Sequence, residues 1–226
     1  MVLTIRPSWS THGDDRRGDR LSERLAVRRG ALPLLAERGY DNTTVADITT
    51  AAGVSRRTFF RLFGGKSEVL SCDHEVYHLE MHTHLLQHQS ERTLGRAARG
   101  AALIVVSLTA DPNEAAIRTK LLAESSDLRT EENRWFNRHQ AALALFLSDR
   151  HDGTTSIEAE MTAAAIIAAA QTSIRDSLLD PAQTALRRFD RAIDHLGKGG
   201  GDAGNLVAVI QSTLTIDELI RRIGGE

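Results

Sequence analysis

Three arginines lie close together in the N-terminal third of the 226-residue chain, at Arg56, Arg57 and Arg61. If this segment is helical, Phe59 and Phe63 are four residues apart and face inward, so that the arginines face outward. A guanidinium group matches phosphate oxygens and also the two acceptor atoms of a guanine edge in a DNA major groove. The segment therefore predicts recognition of an anionic partner, with double-stranded DNA as the best match.

Two short helices are predicted to position these arginines. Thr44 and Asp47 have the spacing of a capping box, which starts a helix at the next residue, and Gly53 is the residue type that ends a helix in the left-handed conformation. Ser55 is a suitable cap for the second helix, which carries the arginines. The pattern predicts a helix-turn-helix, a motif that places its second helix in a major groove.

The stretch AAGVSRRTFFRLF, followed by a lysine, is similar to the signature of the tetracycline-repressor (TetR) family of dimeric transcriptional regulators. The resemblance extends over residues 20–70, about a quarter of the chain. It implies base reading by Arg56 and Arg57. It also implies phosphate contacts by Thr44, Thr58 and Lys66, with Arg61 as a weaker candidate. The DNA-facing set expected from the motif is completed by Ser55 and Phe60.

Charge is distributed unevenly along the chain. The full sequence has 28 Lys and Arg against 30 Asp and Glu, a net charge of −2, whereas residues 1–70 alone have 12 against 8. The positive field thus lies in the N-terminal part, where DNA binding is expected. Cys72 is the only cysteine, and no apolar run is long enough for a membrane span or a signal peptide. We expect a cytoplasmic protein that is nucleoid-associated when bound to DNA and has no membrane partner.

The fold class predicted from apolar periodicity is all-α, with an N-terminal three-helix DNA-binding domain and an α-helical domain for ligand binding and dimerisation. Residues 1–19 are expected to be a disordered arm, 20–65 the helix-turn-helix domain, 66–196 the helical body, and 197–226 a glycine-rich linker with an extra C-terminal helix. The predicted helices outside the motif are 21–38, 66–87, 91–109, 113–125, 130–149, 156–179 and 181–196.

The family resemblance implies that the last two body helices form a homodimer interface, and that the body holds a small-molecule effector. The apolar helix 156–179 needs cover on more than one side, which a partner subunit provides. Repression of an operator, relieved by an unknown apolar or amphipathic effector, is the leading hypothesis. Candidate effector contacts are Leu103, Leu122, Trp135, Phe136 and Phe146, although the same residues also suit a plain core.

A histidine series offers a different chemistry. His74, His78 and His82 are spaced i, i+4, i+8, so their neutral imidazoles could share a metal ion. This spacing leaves open a metal-responsive regulator or a metalloenzyme, against the alternative of a solvated helix face. No metalloprotease motif, nucleophile elbow or phosphate-binding loop accompanies it, so the sequence predicts neither an enzyme nor a cofactor. A non-specific architectural DNA protein is a further alternative, opposed by the acidic body.

Overall fold

The computed structural model describes residues 14–87, 93–149, 155–176 and 182–199, with side chains for 18–87, 94–149, 155–176 and 185–196. These residues form α-helices and no β-strand, in agreement with the predicted all-α class. None of these helices is long and apolar enough to span a membrane. The helices are α1 (Asp14–Arg38), α2 (Val45–Ala52), α3 (Arg56–Leu62), α4 (Glu68–Ser71), α5 (His74–Gln87), α6 (Thr93–Thr109), α7 (Pro112–Glu124), α8 (Ser126–Ser148), α9 (Ser156–Asp176) and α10 (Ala182–Gly199).

Helices α1, α2 and α3 pack around one apolar core. Ile48 and Phe59 are completely buried in it, together with Val27 and Leu35 of α1. The helices approach closely at Gly30, where an added Cβ would lie 2.9 Å from the Cα of Ala52. A side chain at this position would separate α1 from α2, so glycine allows their close contact.

The turn between α2 and α3 has the predicted local chemistry. The hydroxyl of Thr44 accepts from the amide of Asp47, whose carboxylate in turn accepts from the amide of Thr44. Gly53 has φ 66° and ends α2 in the left-handed conformation. The hydroxyl of Ser55 accepts from the amide of Thr58 at the start of α3. The helix-turn-helix prediction is thus confirmed at its caps and at its turn.

Helix α1 differs from its prediction because it begins at Asp14, seven residues before Leu21. Residues 14–19 are helical, so the predicted disordered arm does not extend to residue 19. The sequence contains an interaction that favours an early start, since Asp14 and Asp15 are acidic residues at the positive end of a helix dipole. Residues 1–13 of the predicted arm lie outside the described residues.

The predicted helix 66–87 is divided into two. Helix α4 ends at Ser71, and α5 begins at His74 after a turn at Cys72 and Asp73. The physical reason lies in the carbonyl of Leu70, which accepts hydrogen bonds from the guanidinium groups of Arg28 and Arg118 at 3.2 and 3.1 Å. Two buried charged donors thus replace the hydrogen bond that a continuous helix would give this carbonyl.

Helices α5 to α10 form the body around a second apolar core. Its centre includes Met81, Ile104, Leu143 and Ile166, which are almost completely buried. The helices predicted after residue 90 are all present, with ends that shift by a few residues. Helix α10 continues to Gly199, so the segment predicted as a linker is helical over residues 197–199. The rest of that segment and the extra C-terminal helix lie outside the described residues.

Candidate DNA-binding surface and its connection to the helical body

Helix α3 presents opposite faces to the protein and to solvent. Phe59, Leu62 and Phe63 are at most 1% exposed and fix the helix to the core. Arg56 and Arg57 are exposed and form no ion pair within the part of the chain that the structure describes. Their guanidinium groups can therefore reach an external anion.

Phe60 and Arg61 extend this outward face in different ways. The ring of Phe60 is 53% exposed and packs edge-on against Phe59. Arg61 is exposed but forms an ion pair with Glu23 of α1. An exposed pair of this kind contributes little to stability, and a phosphate can compete for the guanidinium group. Arg61 thus lies on the outward face of α3, and its contact with phosphate stays a prediction.

The three candidate hydroxyl groups lie at helix N-termini. Thr44 is exposed at the start of α2, whereas Ser55 and Thr58 lie together at the start of α3, with their oxygens 2.9 Å apart. Unpaired amides and the helix dipole make a helix N-terminus favourable for a phosphate oxygen. Ser55 and Thr58 thus lie at the start of the helix that carries the exposed arginines, and Thr44 lies at the start of α2.

Lys66, for which a phosphate contact is predicted, forms contacts inside the protein. Its Nζ donates to the carbonyls of Tyr40 and Thr43 at 2.7 and 2.8 Å, and lies 3.9 Å from the centre of the Tyr40 ring. Thr43 is completely buried. The ammonium group therefore fixes the loop between α1 and α2, and its hydrogen bonds are directed away from solvent.

A buried network of charged residues, which we call the junction, connects α1 with the body. Arg28 of α1 lies 3.1 Å from Asp73, and Arg118 of α7 lies 3.2 Å from the same Oδ2 atom. Arg118 also contacts both oxygens of Glu132 on α8, at 2.6 and 3.2 Å. Both arginines donate to the carbonyl of Leu70, so the junction closes around the turn between α4 and α5.

The electrostatics of the junction keep its carboxylates ionised. Burial acts to raise the pKa of Asp73, but the guanidinium groups of Arg118 and Arg28 outweigh it and hold that pKa below its usual range. Burial likewise acts to raise the pKa of Glu132, and Arg118 followed by His74 holds it well below the usual range. Buried charges of this kind depend on their partners, because removal of one leaves the other uncompensated.

Further ion pairs surround the junction. Arg24 of α1 pairs with Glu75 of α5 at 2.6 Å and with Glu68 of α4 at 3.5 Å. Arg28 adds a contact of 3.0 Å to Glu114 of α7. Arg24 and Arg28, one turn apart on α1, thereby form ion pairs with α4, α5 and α7. A displacement of α5 or α7 would therefore shift α1 of the DNA-binding unit.

The histidines of α5 meet a residue that the sequence prediction did not include, His139 of α8. Nδ1 of His74 lies 3.1 Å from Nε2 of His139, and Nδ1 of His78 lies 3.1 Å from Nδ1 of His139. His74 and His139 are completely buried. One sequence signal for His139 exists: Glu132 and His139 fall on the apolar face of α8, where a polar residue needs a buried partner.

The metal site that this spacing left open does not form in this geometry, and the alternative of a solvated helix face is wrong for His74, which is completely buried. His78 and His74 contact opposite nitrogens of the His139 ring, so the three imidazoles make a chain and do not converge on one point. His82 is exposed, with its ring centre 5.0 Å from that of His78. Among the residues with described side chains, no three histidine, cysteine or carboxylate groups are placed to hold a metal ion.

The five candidate effector contacts are not in one place. Phe136 belongs to the core of the body, Phe146 packs against that core, and Leu103 is half-buried on α6. Trp135 stacks on the ring of His74, with centres 5.9 Å apart and planes at 13°. Leu122 packs against the core of the DNA-binding unit, apart from Phe136 and Phe146 in the body.

Comparisons with known proteins agree with this architecture. A family model described as bacterial regulatory proteins of the tetR family matches residues 27–71. A Mycobacterium tuberculosis protein named as a mycofactocin biosynthesis transcriptional regulator, MftR, is 27% identical over 173 residues, which are 75% of this chain and 86% of that protein.

Solved structures with the same fold include two regulators. One is a TetR-family transcriptional regulator from Syntrophomonas wolfei, with a TM-score of 0.59, 14% identity, and coverage of 86% of this chain and 98% of that one. The other is FadR from Bacillus subtilis in complex with stearoyl-CoA, with a TM-score of 0.52, 18% identity, and coverage of 74% and 96%.

The helix-turn-helix with its exposed arginines, carried on a helical body, defines a DNA-binding transcriptional regulator. The family model matches residues 27–71, the Mycobacterium tuberculosis relative is 27% identical, and the solved structures share the fold, so the chain is similar to bacterial regulators of the TetR family. The sequence-based recognition of that family is confirmed.

Proposed function

We propose that this regulator is a homodimeric repressor that binds a near-palindromic operator and is released from it by an apolar or amphipathic small molecule. Residues 20–65 bind the DNA, and residues 66–196 hold the effector and the dimer interface. The observation that carries the proposal is the junction. It ties α1 of the DNA-binding unit to α5, α7 and α8 of the body through buried ion pairs, so the two parts cannot move independently.

In this proposal, the exposed Arg56 and Arg57 read base edges in the major groove. Thr44, Thr58 and Arg61 contact phosphates on either side of the recognition helix, and Ser55 and Phe60 line the same surface. Lys66 acts on DNA only indirectly, because its ammonium group supports the loop before α2.

The dimer proposal rests on the outward face of α9. Ile157 and Met161 are 70% and 67% exposed, and the exposed Ala168 continues the same face two turns later. Exposed apolar side chains beside a small residue, four and seven residues apart, suit close packing against another helix. A two-fold dimer would cover this face and set two recognition helices about one helical turn of DNA apart.

Light scattering with the variant Met161→Glu tests the dimer. A charge in the centre of the interface should convert the dimer to a monomer at micromolar protein concentration. Leu145→Glu is the matched control, because Leu145 on α8 is 71% exposed but lies on another helix. A monomeric parent protein, or an unchanged dimer with Met161→Glu, contradicts the proposed interface.

The effector proposal is supported by the apolar and aromatic residues on α6 and α8. Leu103, Phe136 and Phe146 lie in or against the body core, and Trp135 is beside the histidines. FadR from Bacillus subtilis, which shares this fold, binds stearoyl-CoA, an amphipathic ligand. A ligand that moves α5 or α8 would act on Asp73 or Glu132 of the junction, and hence on α1.

Release of a fluorescent operator tests this part, with stearoyl-CoA as the first probe and a metabolite collection as the second. Trp9 and Trp135 are the two tryptophans, so the variant Trp9→Phe makes fluorescence specific for Trp135. An effector should release the operator and change Trp135 emission over the same concentration range. Release without any change at Trp135 contradicts the proposed contact, and no release by any compound contradicts induction.

A further inference from the structure

Three imidazoles connect the partly exposed side of α5 with the junction. His78 is half-buried and lies beside the exposed His82, whereas His139 and His74 are completely buried. The distance from Nδ1 of His78 to Nδ1 of His139 is 3.1 Å, and so is the distance from Nε2 of His139 to Nδ1 of His74. At the inner end, Nε2 of His74 lies 3.2 Å from Oε2 of Glu132. We call His78, His139 and His74 the imidazole chain.

When all three rings are neutral, their contacts fix one arrangement of protons. Nε2 of His74 carries hydrogen, because a lone pair facing a carboxylate oxygen would be repelled, and its Nδ1 therefore accepts. Nε2 of His139 then donates to His74, which leaves Nδ1 of His139 as an acceptor. Nδ1 of His78 must donate to it. His78 is thus the only ring of the chain that carries its hydrogen on Nδ1.

One added proton reverses the direction of both hydrogen bonds between the three rings. A proton taken up on Nε2 of His78 allows that ring to pass its Nδ1 hydrogen to Nδ1 of His139. His139 passes its Nε2 hydrogen to Nδ1 of His74, which becomes an imidazolium with both nitrogens protonated. His78 and His139 end neutral with exchanged tautomers. One proton has entered, and one positive charge lies beside Glu132.

We propose that the imidazole chain is a proton relay that stores one proton on His74 and makes operator binding respond to pH. The charged His74 competes with Arg118 for the same oxygen, because Nη2 of Arg118 also contacts Oε2 of Glu132, at 2.6 Å. Protonation therefore weakens the contact between α7 and α8 at the junction. Because the junction holds Arg28 of α1, a weaker junction fixes the DNA-binding unit less firmly.

The groups around the chain are consistent with transfer through a neutral His139. Burial, followed by the imidazoles of His74 and His78, lowers the pKa of His139 to about 2. His139 therefore does not itself hold the charge at ordinary pH, whereas His74 is next to the anionic Glu132 and Asp73.

Charged and titratable residues lie on several helices packed around the chain. They include Asp73, Glu75, Tyr77, Glu80 and His82 from the α4–α5 segment, Arg118 from α7, Glu131, Glu132 and Arg138 from α8, Arg28 from α1, and Arg96 and Arg99 from α6. The charged residues of α9 are exposed or half-buried, and its buried face consists of Ala, Ile and Ser residues. The two carboxylates nearest the chain both face His74.

Nitrogen-15 NMR of histidine side chains in the full-length protein tests the relay without DNA or effector. At pH 8 we expect hydrogen on Nδ1 of His78 and on Nε2 of His139 and His74. At pH 5.5 we expect hydrogen on Nδ1 of a still neutral His139, and on both nitrogens of His74. Signals are assigned with single His→Gln variants. An imidazolium at His139, or unchanged tautomers over this range, would overturn the relay.

Operator binding gives the functional test. The probe is a DNA duplex selected from a random pool by the wild-type protein. Wild type should lose about five-fold or more affinity between pH 8 and pH 5.5 relative to His139→Gln, which keeps one donor and one acceptor but cannot relay a proton. Lys120→Gln, at an exposed residue of α7 outside the imidazole chain and the dimer helices, is the control and should behave like wild type. Identical pH profiles for wild type, His139→Gln and His78→Gln would overturn the regulatory role, whatever the outcome of the effector screen.

Discussion

Arg57 and Lys66 are cations of the same DNA-binding unit, but their surroundings give them different roles. The guanidinium group of Arg57 is exposed on α3. The ammonium group of Lys66 is used by two backbone carbonyls and the face of an aromatic ring. Sequence spacing alone places both near DNA, because it does not determine the direction of a long flexible side chain.

The variant Arg57→Ala tests base reading. Loss of one bidentate contact should cost about 1–3 kcal/mol on the preferred operator and relax the sequence preference at one base pair. Affinity for the operator and for random duplexes, measured by fluorescence anisotropy, checks this prediction. Lys120→Ala, at an exposed lysine of α7, is the control. An equal loss on all sequences would make Arg57 a phosphate contact.

The variant Lys66→Met tests the structural role of the lysine. Two hydrogen bonds from a charged donor are lost, so the free energy of unfolding should fall by about 1–3 kcal/mol. The dependence of operator affinity on salt concentration should keep its slope, because no phosphate contact is removed. A slope lower by about one unit with unchanged stability would instead support a phosphate contact for Lys66.

At the scale of helices, the junction makes a prediction about α7 and α8. Arg118→Met leaves Asp73 and Glu132 buried without their shared partner, which should destabilise the protein by about 3–5 kcal/mol at pH 7. Arg61→Met, at an exposed arginine of α3 whose partner Glu23 is also exposed, is the control and should have a much smaller effect. Chemical denaturation of both variants measures the difference.

The penalty of Arg118→Met should also depend on pH. In the wild type, the depressed pKa values of Asp73 and Glu132 add stability above their unfolded values, and this contribution is lost only as pH falls through the lower folded values. Without Arg118, burial raises these pKa values, so the variant binds protons and gains stability as pH falls below 7. The difference in unfolding free energy between the wild type and Arg118→Met should therefore narrow towards pH 4. A constant difference would contradict the ionised junction.

Helix α5 contains a carboxyl group with the opposite behaviour. Burial raises the pKa of Glu80 to about 7, and its Oε2 has no hydrogen-bond partner among the described residues. Ionisation thus destabilises the fold as pH rises above the unfolded value of about 4.5. Glu80→Gln should raise stability by about 1–3 kcal/mol at pH 8, with no gain below pH 5. Thermal unfolding at both pH values checks this, with Glu160→Gln at an exposed glutamate of α9 as the control.

The elements that sequence predicts well are those with local causes. The cap at Thr44, the left-handed turn at Gly53 and the helix periods all arise within a few residues, and each is present in the structure. The break between α4 and α5 was not predictable in this way, because Arg28 and Arg118 bind the carbonyl of Leu70 from 42 and 48 residues away.

Among the site residues too, features with local causes were predictable and those that depend on distant residues were not. The exposed arginines of α3 were predictable from the amphipathic pattern of seven residues. The contact of His139 with His74 and His78 spans 65 and 61 residues, so histidine spacing on α5 alone could not predict the chain and left open only a metal site or a solvated helix face. Tertiary packing decides whether the histidine face of α5 is buried against α8 or exposed to solvent. The periodicity of a single sequence carries no information about this packing.

At the scale of the whole molecule, the DNA-binding unit and the body are connected in two ways. They share apolar packing, and the ion pairs of the junction link them. Leu121 of α7 and Leu128 of α8 belong to the core of the DNA-binding unit, although their helices are part of the body. A movement of α7 or α8 therefore changes the packing around α1 and the ion pairs of Arg28 together. This arrangement supports a regulator in which events in the body change the position of α3.

Selection of binding sites from a random DNA pool, followed by sequencing, tests the central claim most directly. Each α3 should read one half-site, and a two-fold dimer should place two half-sites in inverted orientation with centres about 34–36 Å apart along the duplex, or a multiple of it. We predict an enriched near-palindrome that disappears when the selection is repeated with Arg57→Ala. No enriched sequence, or a single unrepeated half-site, would contradict a dimeric regulator that reads DNA through α3.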